Sequence, residues 1–326
     1  TPGTLTDEGL LYSKSENVLA ALWCNSPRWA IATLELSSGR FCAQEFDHAN
    51  AAFDDLARLQ PAELIIGDGV AAPALCRTNT TTHRSIPDWH FDHEQAVTRL
   101  CTLFGTRDLA AFGCEGFPLA TATAGALIGY VQNLNNGAMP HVRDLVIRQP
   151  SDYLLVDSAT RRHLEIEQVI EGSGGVSLVH LFDHCATAMG SRQLGRWLRD
   201  PVRNQNELKQ RHDAIDDLSH DTIGETLRAD LRQIGDIERI IARVALRSAR
   251  PRDLLRLRQG LTLLPGIEHA LGDRISKRLN ALAADCQRQP DLQQLLERAI
   301  QDEPSTQLHE GNVIRDGYSL ELDELR

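Results

Sequence analysis

The amino-acid sequence predicts an α/β unit followed by an all-helical one, divided near residue 150. Three observations carry this. Three short apolar runs, Val18 to Cys24, Trp29 to Leu36 and Phe41 to Phe46, are separated by Asn25-Ser26-Pro27-Arg28 and Ser37-Ser38-Gly39-Arg40, both tight-turn chemistry. Strand-like and helix-like stretches then alternate as far as Leu134. After about residue 150, apolar residues recur at helical spacing almost without interruption.

In order along the chain, Thr6 with Asp7 and Glu8 reads as a helix N-cap with an acidic first turn. The three apolar runs make an antiparallel meander. A helix follows from about His48 to Leu59, with Phe53, Leu56 and Leu59 on one face and Pro61 as its stop. Glu63 to Ile66 reads as a short buried strand. A short helix, a polar loop (Asn79 to His83) and a strand near Ile86 to Phe91 come next, and then helices at Glu94 to Phe104 and Leu119 to Leu134. The order β-β-β-α-β-α-β suits a mixed sheet with helices on its faces, and by analogy of order it is RNase H-like. The boundary falls in Arg148-Gln149-Pro150-Ser151. Seven amphipathic helices follow: Ala186 to Leu198, Asn206 to Leu218, Ile223 to Ile234, Asp236 to Leu246, Arg252 to Leu264, Arg274 to Cys286 and Leu292 to Ile300. Pro201, Pro251, Pro265 and Pro290 punctuate them. Val313 and Ile314 read as a short strand, and Ser319 opens a final acidic helical stretch.

The chain has 326 residues, which at roughly 150 per domain suits two domains, 1–150 and 151–326. Its formal net charge is −11. Residues 1–150 carry 10 basic and 16 acidic groups and the remainder 24 and 29, so neither part has the basic surplus of a free-standing nucleic-acid binder. No run of about 18 apolar residues predicts a membrane span. Seven scattered cysteines without a Cys-x-x-Cys pair suit a reducing cytosol. Three lysines accompany 31 arginines, which we read as coding bias rather than as a sign of many bidentate ion pairs. The start at Thr1 and the short final helix suggest a piece of a longer protein.

Several chemistry motifs nearly appear. Gly67-Asp68-Gly69-Val70-Ala71-Ala72 has dinucleotide-fingerprint spacing after a strand, but Asp68 would face the pyrophosphate and Pro73 would interrupt the helix, so it reads as a turn. Gly190 to Gly195 has P-loop spacing, but Arg196-Trp197 stands where Lys-Ser/Thr is needed. His180 and His184, one helical turn apart, lack a second ligand pair, and His90 and His93 read the same way. A nuclease on an RNase H-like sheet needs several carboxylates converging on metal ions. Glu35 and Glu63 are candidates without evident further partners. Arg239, Arg243 and Arg247 make a stripe that could follow phosphates, yet Asp236 and Glu238 on the same helix favour an ion-paired face. We assign no catalytic, cofactor-binding or metal-ligating residue.

The remaining motifs carry a resemblance. Asp183, Thr187, Met189-Gly190-Ser191-Arg192, Leu194, Trp197-Leu198 and Pro201 resemble the core-domain signature of bacterial-type MutS DNA mismatch repair proteins. Asp157 with Ala159-Thr160-Arg161-Arg162 and Leu164-Glu165, Asp236-Ile237-Glu238-Arg239, and Ala249-Arg250-Pro251-Arg252-Asp253-Leu254 are similar to the same domain. Gly317-Tyr318 with Glu321 to Arg326 resembles its passage towards the clamp. Thr1-Pro2-Gly3-Thr4, Ser37-Ser38-Gly39-Arg40-Phe41 and Phe104-Gly105-Thr106-Arg107-Asp108-Leu109 resemble the connector domain and its lead-in. The order is collinear over essentially the whole chain. Physically, Thr187 suits the cap of a helix whose Leu194, Trp197 and Leu198 enter a core and which Pro201 ends, and Pro251 with Asp253 suits a first turn. Thr187, Gly190, Arg192, Trp197, Pro201 and Pro251 are thus architectural.

The resemblance implies an RNase H-like connector followed by the first part of a helical core, or lever, domain. It implies no enzyme activity here and no cofactor in this chain. The longer protein would be a homodimeric, DNA-dependent ATPase that binds ATP and magnesium elsewhere, recognises mismatched duplex DNA and signals to MutL. This region would link mismatch, clamp and ATPase domains, and its helix from Glu94 to Phe104 would dock MutL around Thr98 and Arg99. The expected location is the cytoplasm, on the nucleoid, and the isolated chain is expected to be monomeric. The alternatives are a metal-dependent nuclease and a paralogous scaffold.

Overall fold

The computed structural model describes every residue except 8, 71–80, 135–138, 171–173, 221, 287 and 307. Contacts divide the chain into two compact units: Thr1–His184, Ser191–Arg203 and Ile241–Leu246 form the first, and Cys185–Gly190, Asn204–Ile240 and Arg247–Arg326 the second.

In the first unit, β1 (Leu19–Asn25), β2 (Arg28–Glu35) and β3 (Arg40–Phe46) form the expected antiparallel meander. After α1 (Ala49–Leu59), β4 (Glu63–Gly67) returns parallel to β1, and β5 (Thr82–Ile86) lies parallel to β4. α2 (His93–Phe104) and α3 (Pro118–Leu134) follow, and β6 (Val146–Ile147) pairs parallel with β3. The six-stranded order is β5-β4-β1-β2-β3-β6. Alternation along each strand makes two cores. Leu19, Ala21, Ala32, Leu34, Phe41, Ala43 and Ile65 pack with α2 and α3 on one face. Ala20, Leu22, Ile31, Phe46, Leu64 and Ile66 pack with Ala52 and Leu56 of α1 on the other. α3 is buried around most of its circumference, and its small residues let it lie close to both sheet and α2.

Three local expectations change here. Thr6 opens no helix; Asp7 instead closes a turn by accepting the Gly9 N–H at 2.8 Å. The fifth strand comes earlier than Ile86 to Phe91, at the polar and largely exposed Thr82–Ile86, which takes up part of the expected polar loop. Residues Asp88–Phe91 form a 3-10 turn whose Phe91 stacks on Trp23, ring centroids 4.5 Å apart. Of the rest of that loop, Thr81 is buried, while Asn79 and Thr80, with most of the stretch expected as a short helix before them, lie outside the described residues.

α4 (Ser158–His163), α5 (Leu178–Phe182) and the Ser191–Arg199 part of α6 (Ala188–Arg199) belong to the first unit. The second unit is helical, with α7 (Gln205–Ser219), α8 (Ile223–Leu231), the first turn of α9 (Ile237–Ala245), α10 (Pro251–Leu271), α11 (Lys277–Asp285), α12 (Pro290–Ala299) and α13 (Leu320–Glu324). Its core joins Ile240, Leu257, Leu261, Leu296, Ala299 and Ile300. Val313 and Ile314 make only a bridge, Ile314 opposite Ile300. Pro265 does not end α10. A proline removes one hydrogen-bond rung, and buried Leu257, Leu261 and Ile267 hold the helix on both sides of it. Among the described residues no helix is long and apolar enough to cross a membrane.

Candidate functional site

Asp92 starts α2 by accepting the Gln95 N–H at 2.9 Å, and Gly105 ends it in the left-handed region at φ 68°. This phase turns Ala96 and Leu100 inward and leaves Thr98 and Thr102 exposed. Ala96 meets Gly125 of α3, where an added Cβ would stand 2.3 Å from the Ala96 Cβ. An open groove of about 740 Å³ runs beside this contact, lined by Asp92, Glu94, Gln95, Thr98, Arg99 and Gln132 among others.

The structure therefore brings the two sequence-selected residues, Thr98 and Arg99, to one groove, in different roles. Thr98 is exposed, and its hydroxyl donates to the Glu94 carbonyl at 3.0 Å. Arg99 is half-buried and Nη1 donates to the Gly125 carbonyl at 2.8 Å. It lies over Gly129, where a Cβ would stand 2.6 Å from that nitrogen. Arg99 is thus a strut between helices as well as a rim residue. Gln95 and Gln132, which sequence reasoning missed, add amide groups to the groove. Isolated glutamines carry no spacing signal.

A second constellation lies on the α1 side of the sheet. Glu16 accepts from Arg196 and Arg199, both at 2.8 Å, and Arg40 lies 3.7 Å away. Arg199 also donates to Glu167 at 2.7 Å, and Arg161 pairs with the same carboxylate. Asp200 pairs with Arg58 and, at 3.0 Å, with Arg148. Arg148 also lies over the Tyr153 ring, 4.5 Å from its centroid. Burial would raise the Glu16 carboxyl, but Arg199, Arg196 and Arg40 outweigh it and hold the carboxyl below the usual range. Six arginines thus share three carboxylates here, an arrangement that suits the several donors of a guanidinium.

This network reverses one reading of α6. The buried residues of that helix are Ser191 and Arg192, while Trp197 is 36% exposed. Arg192, Arg196 and Arg199, at i, i+4 and i+7, form a guanidinium stripe within the first unit: Arg192 donates to the Ser13 carbonyl at 2.8 Å, and the other two reach Glu16. Trp197 therefore does not enter the core. The signal was present as the spacing of the arginines, outweighed in our reading by Leu194, Trp197 and Leu198. Among the other signature residues, Thr187 caps α6 by accepting the Gly190 N–H at 3.0 Å. A Cβ on Gly190 would come within 3.1 Å of that hydroxyl. The Pro201 carbonyl accepts the Leu154 N–H at 2.8 Å. Pro251 occupies the first turn of α10, where Asp253 accepts the Arg250 N–H at 2.9 Å.

The nuclease candidates separate. Glu63 stands opposite Leu19 and faces α3, accepting the Tyr130 hydroxyl at 2.6 Å and the Gly3 N–H at 3.2 Å. Burial and this carboxylate push the Tyr130 phenol up to about 12. Glu35 follows Leu34 and so points to the opposite face, held by Ser37 and Ser38. The two carboxylates cannot share an ion across the sheet. The near-fingerprint is also accounted for by packing: a Cβ on Gly67 would stand 2.3 Å from the Trp23 ring. Ala71 and Ala72 lie outside the described residues. α5 ends at Phe182 with Asp183 as its cap, so His184 does not continue the helical spacing from His180. The P-loop spacing of Gly190 to Gly195 falls inside α6. Arg239 and Arg243 are buried, unlike an exposed phosphate track. Among the described residues no three His, Cys, Asp or Glu side chains are grouped to hold a metal.

Comparison with family models agrees with this architecture. The model of MutS domain II matches residues 17–143, the segment of the mixed sheet with α1, α2 and α3. The model of MutS domain III matches residues 159–326, the helical region. Together they cover most of the chain in the order inferred from the motifs, so the chain carries the connector and core domains of the MutS family of DNA mismatch repair proteins and belongs to that family.

Proposed function

We propose that this chain works as the linking and partner-binding part of a mismatch repair protein and performs no chemistry of its own. Its core-domain helices carry changes between mismatch-reading, clamp and ATPase domains. The face of α2 around Thr98 and Arg99 docks MutL. ATP and magnesium act elsewhere in the protein, a homodimeric, DNA-dependent ATPase of the cytoplasm and nucleoid that grips mismatched DNA through those other parts.

The observation that carries the docking reading is the α2–α3 groove. Thr98 stands exposed on its rim, on a helix fixed from beneath by Ala96, Gly125 and Arg99. A rigid exposed helix face favours protein recognition because little ordering entropy is lost on binding. The ion-paired packing of Ser191–Arg199 onto Glu16 and Glu167 supports the linking role, since it fastens a core-domain helix to the connector's lead-in segment.

Titration of purified MutL over the immobilised chain tests this. Thr98→Lys should weaken binding by about tenfold, as expected for a central interface residue. Unchanged affinity removes the assignment. Thr98 is the cleaner site for the test, because replacing Arg99 also removes the bond to the Gly125 carbonyl.

A further inference from the structure

Immediately before α2, the 3-10 turn Asp88–Phe91 presents a large aromatic side chain to solvent: Trp89 is 61% exposed. The turn is held at both ends. The Asp88 carboxylate accepts the Gly69 N–H at 3.0 Å, and Phe91, 5% exposed, stacks on Trp23 with rings 10° from parallel. Trp89 itself stacks on His90, ring centroids 3.6 Å apart. An exposed tryptophan on a pinned turn loses little freedom when it is covered.

The turn adjoins the α2–α3 groove. The Asp92 N–H donates to the Trp89 carbonyl, and Asp92 lines the groove. His90 is close enough to Arg99 for the guanidinium to add to burial in holding its imidazole below the usual range. Trp89 therefore lies in the turn that leads directly into the groove-lining Asp92. The charged residues lining the groove are unequal: Asp92 and Glu94 stand against Arg99 alone. A nucleic acid is disfavoured there. A protein segment carrying lysine or arginine gains from the carboxylates, and its cation or aliphatic stem gains from the Trp89 face.

We infer that Trp89 is the anchor of the docking surface and that the segment it receives on the partner protein is basic. The inference rests on the reading that α2 docks MutL, and deepens it by naming the anchor and the partner's charge.

The test uses the whole chain and purified MutL. Trp89→Ala and Glu94→Lys should each weaken binding by about tenfold, and Trp89→Phe should stay within about twofold of the parent. Parent affinity should fall as salt rises from roughly 50 to 200 mM. Trp89→Ala should melt within about 2 °C of the parent, as an exposed site allows; should it fail to fold, Glu94→Lys on the exposed helix face carries the test. If Thr98→Lys weakens binding while Trp89→Ala and Glu94→Lys do not, the anchor inference is overturned and the docking face stands. If none of the three weakens it, or if the parent chain does not bind MutL, both are overturned. Loss of duplex-DNA binding in Trp89→Ala, with MutL binding unchanged, overturns the inference in favour of a nucleic acid.

Discussion

Replacing Glu16 by Gln removes the carboxylate on which three arginines converge while keeping the size of the side chain. The parent carboxylate takes one charged hydrogen bond each from Arg196 and Arg199 at 2.8 Å, and its side chain is only 10% exposed. Breaking a buried pair that leaves an uncompensated charge costs about 3–5 kcal/mol. Here the cations keep other partners: Arg199 retains Glu167 at 2.7 Å, and Arg196 retains the Gln193 side-chain oxygen. The loss should therefore fall to about 2–3 kcal/mol, the upper part of the range for hydrogen bonds to charged groups. For a unit of roughly 200 residues this lowers the melting midpoint by about 5–10 °C. The pH dependence has a definite sign. The Glu16 carboxyl is depressed in the folded chain, so its contribution is full above the unfolded value of about 4.3 and is lost as pH falls through the folded one. The stability gap between parent and Glu16→Gln should be complete at pH 7 and should narrow below about pH 4.3. Urea denaturation of both proteins at several pH values measures it. A gap under about 0.5 kcal/mol at pH 7, the scatter of ordinary surface substitutions, would refute the buried network as a structural fastening.

Other substitutions test the rest of the scaffold. Gly125→Ala would drive a methyl within 2.3 Å of the Ala96 Cβ and 2.5 Å of its Cα. It should cost about 1–3 kcal/mol in urea titration, and adding Ala96→Gly should recover part of the loss; no loss would contradict the close crossing of α2 and α3. Thr187→Ala should cost about 1 kcal/mol by removing the cap on Gly190, and Thr187→Ser should restore stability. Light scattering should find the isolated chain monomeric, and a dimer independent of concentration would contradict that. Equilibrium binding at physiological salt should find weak affinity for duplex DNA, equal with and without a mismatch.

The meander and α1 were legible because turn chemistry and alternation agree: Asn25-Ser26-Pro27 and Ser37-Ser38-Gly39 bracket strands whose buried residues are apolar apart from Glu35 and Gln44. The long α3 was legible from its length and composition. β5 was not, because Thr82-His83-Arg84-Ser85 is an exposed polar edge strand whose pairing with β4 is backbone only. Pro265 misled because a single missing N–H weighs little against apolar contacts on both sides of it. In α6 the apolar residues suggested one inward face, whereas pairing with Glu16 and Glu167 selected the arginine face. The docking groove was half legible. Thr98 and Arg99 came from a resemblance, while Trp89, Gln95 and Gln132 join them only through the packing of α2 on α3.

The docking assignment is tested most directly by amide hydrogen exchange of the chain with and without saturating MutL. Added protection should appear in residues 88–104, across the Trp89 turn and α2, with the buried core of α3 unchanged. Protection confined to the helical unit, or none at all under saturating MutL, would contradict the assignment of α2 as the docking face.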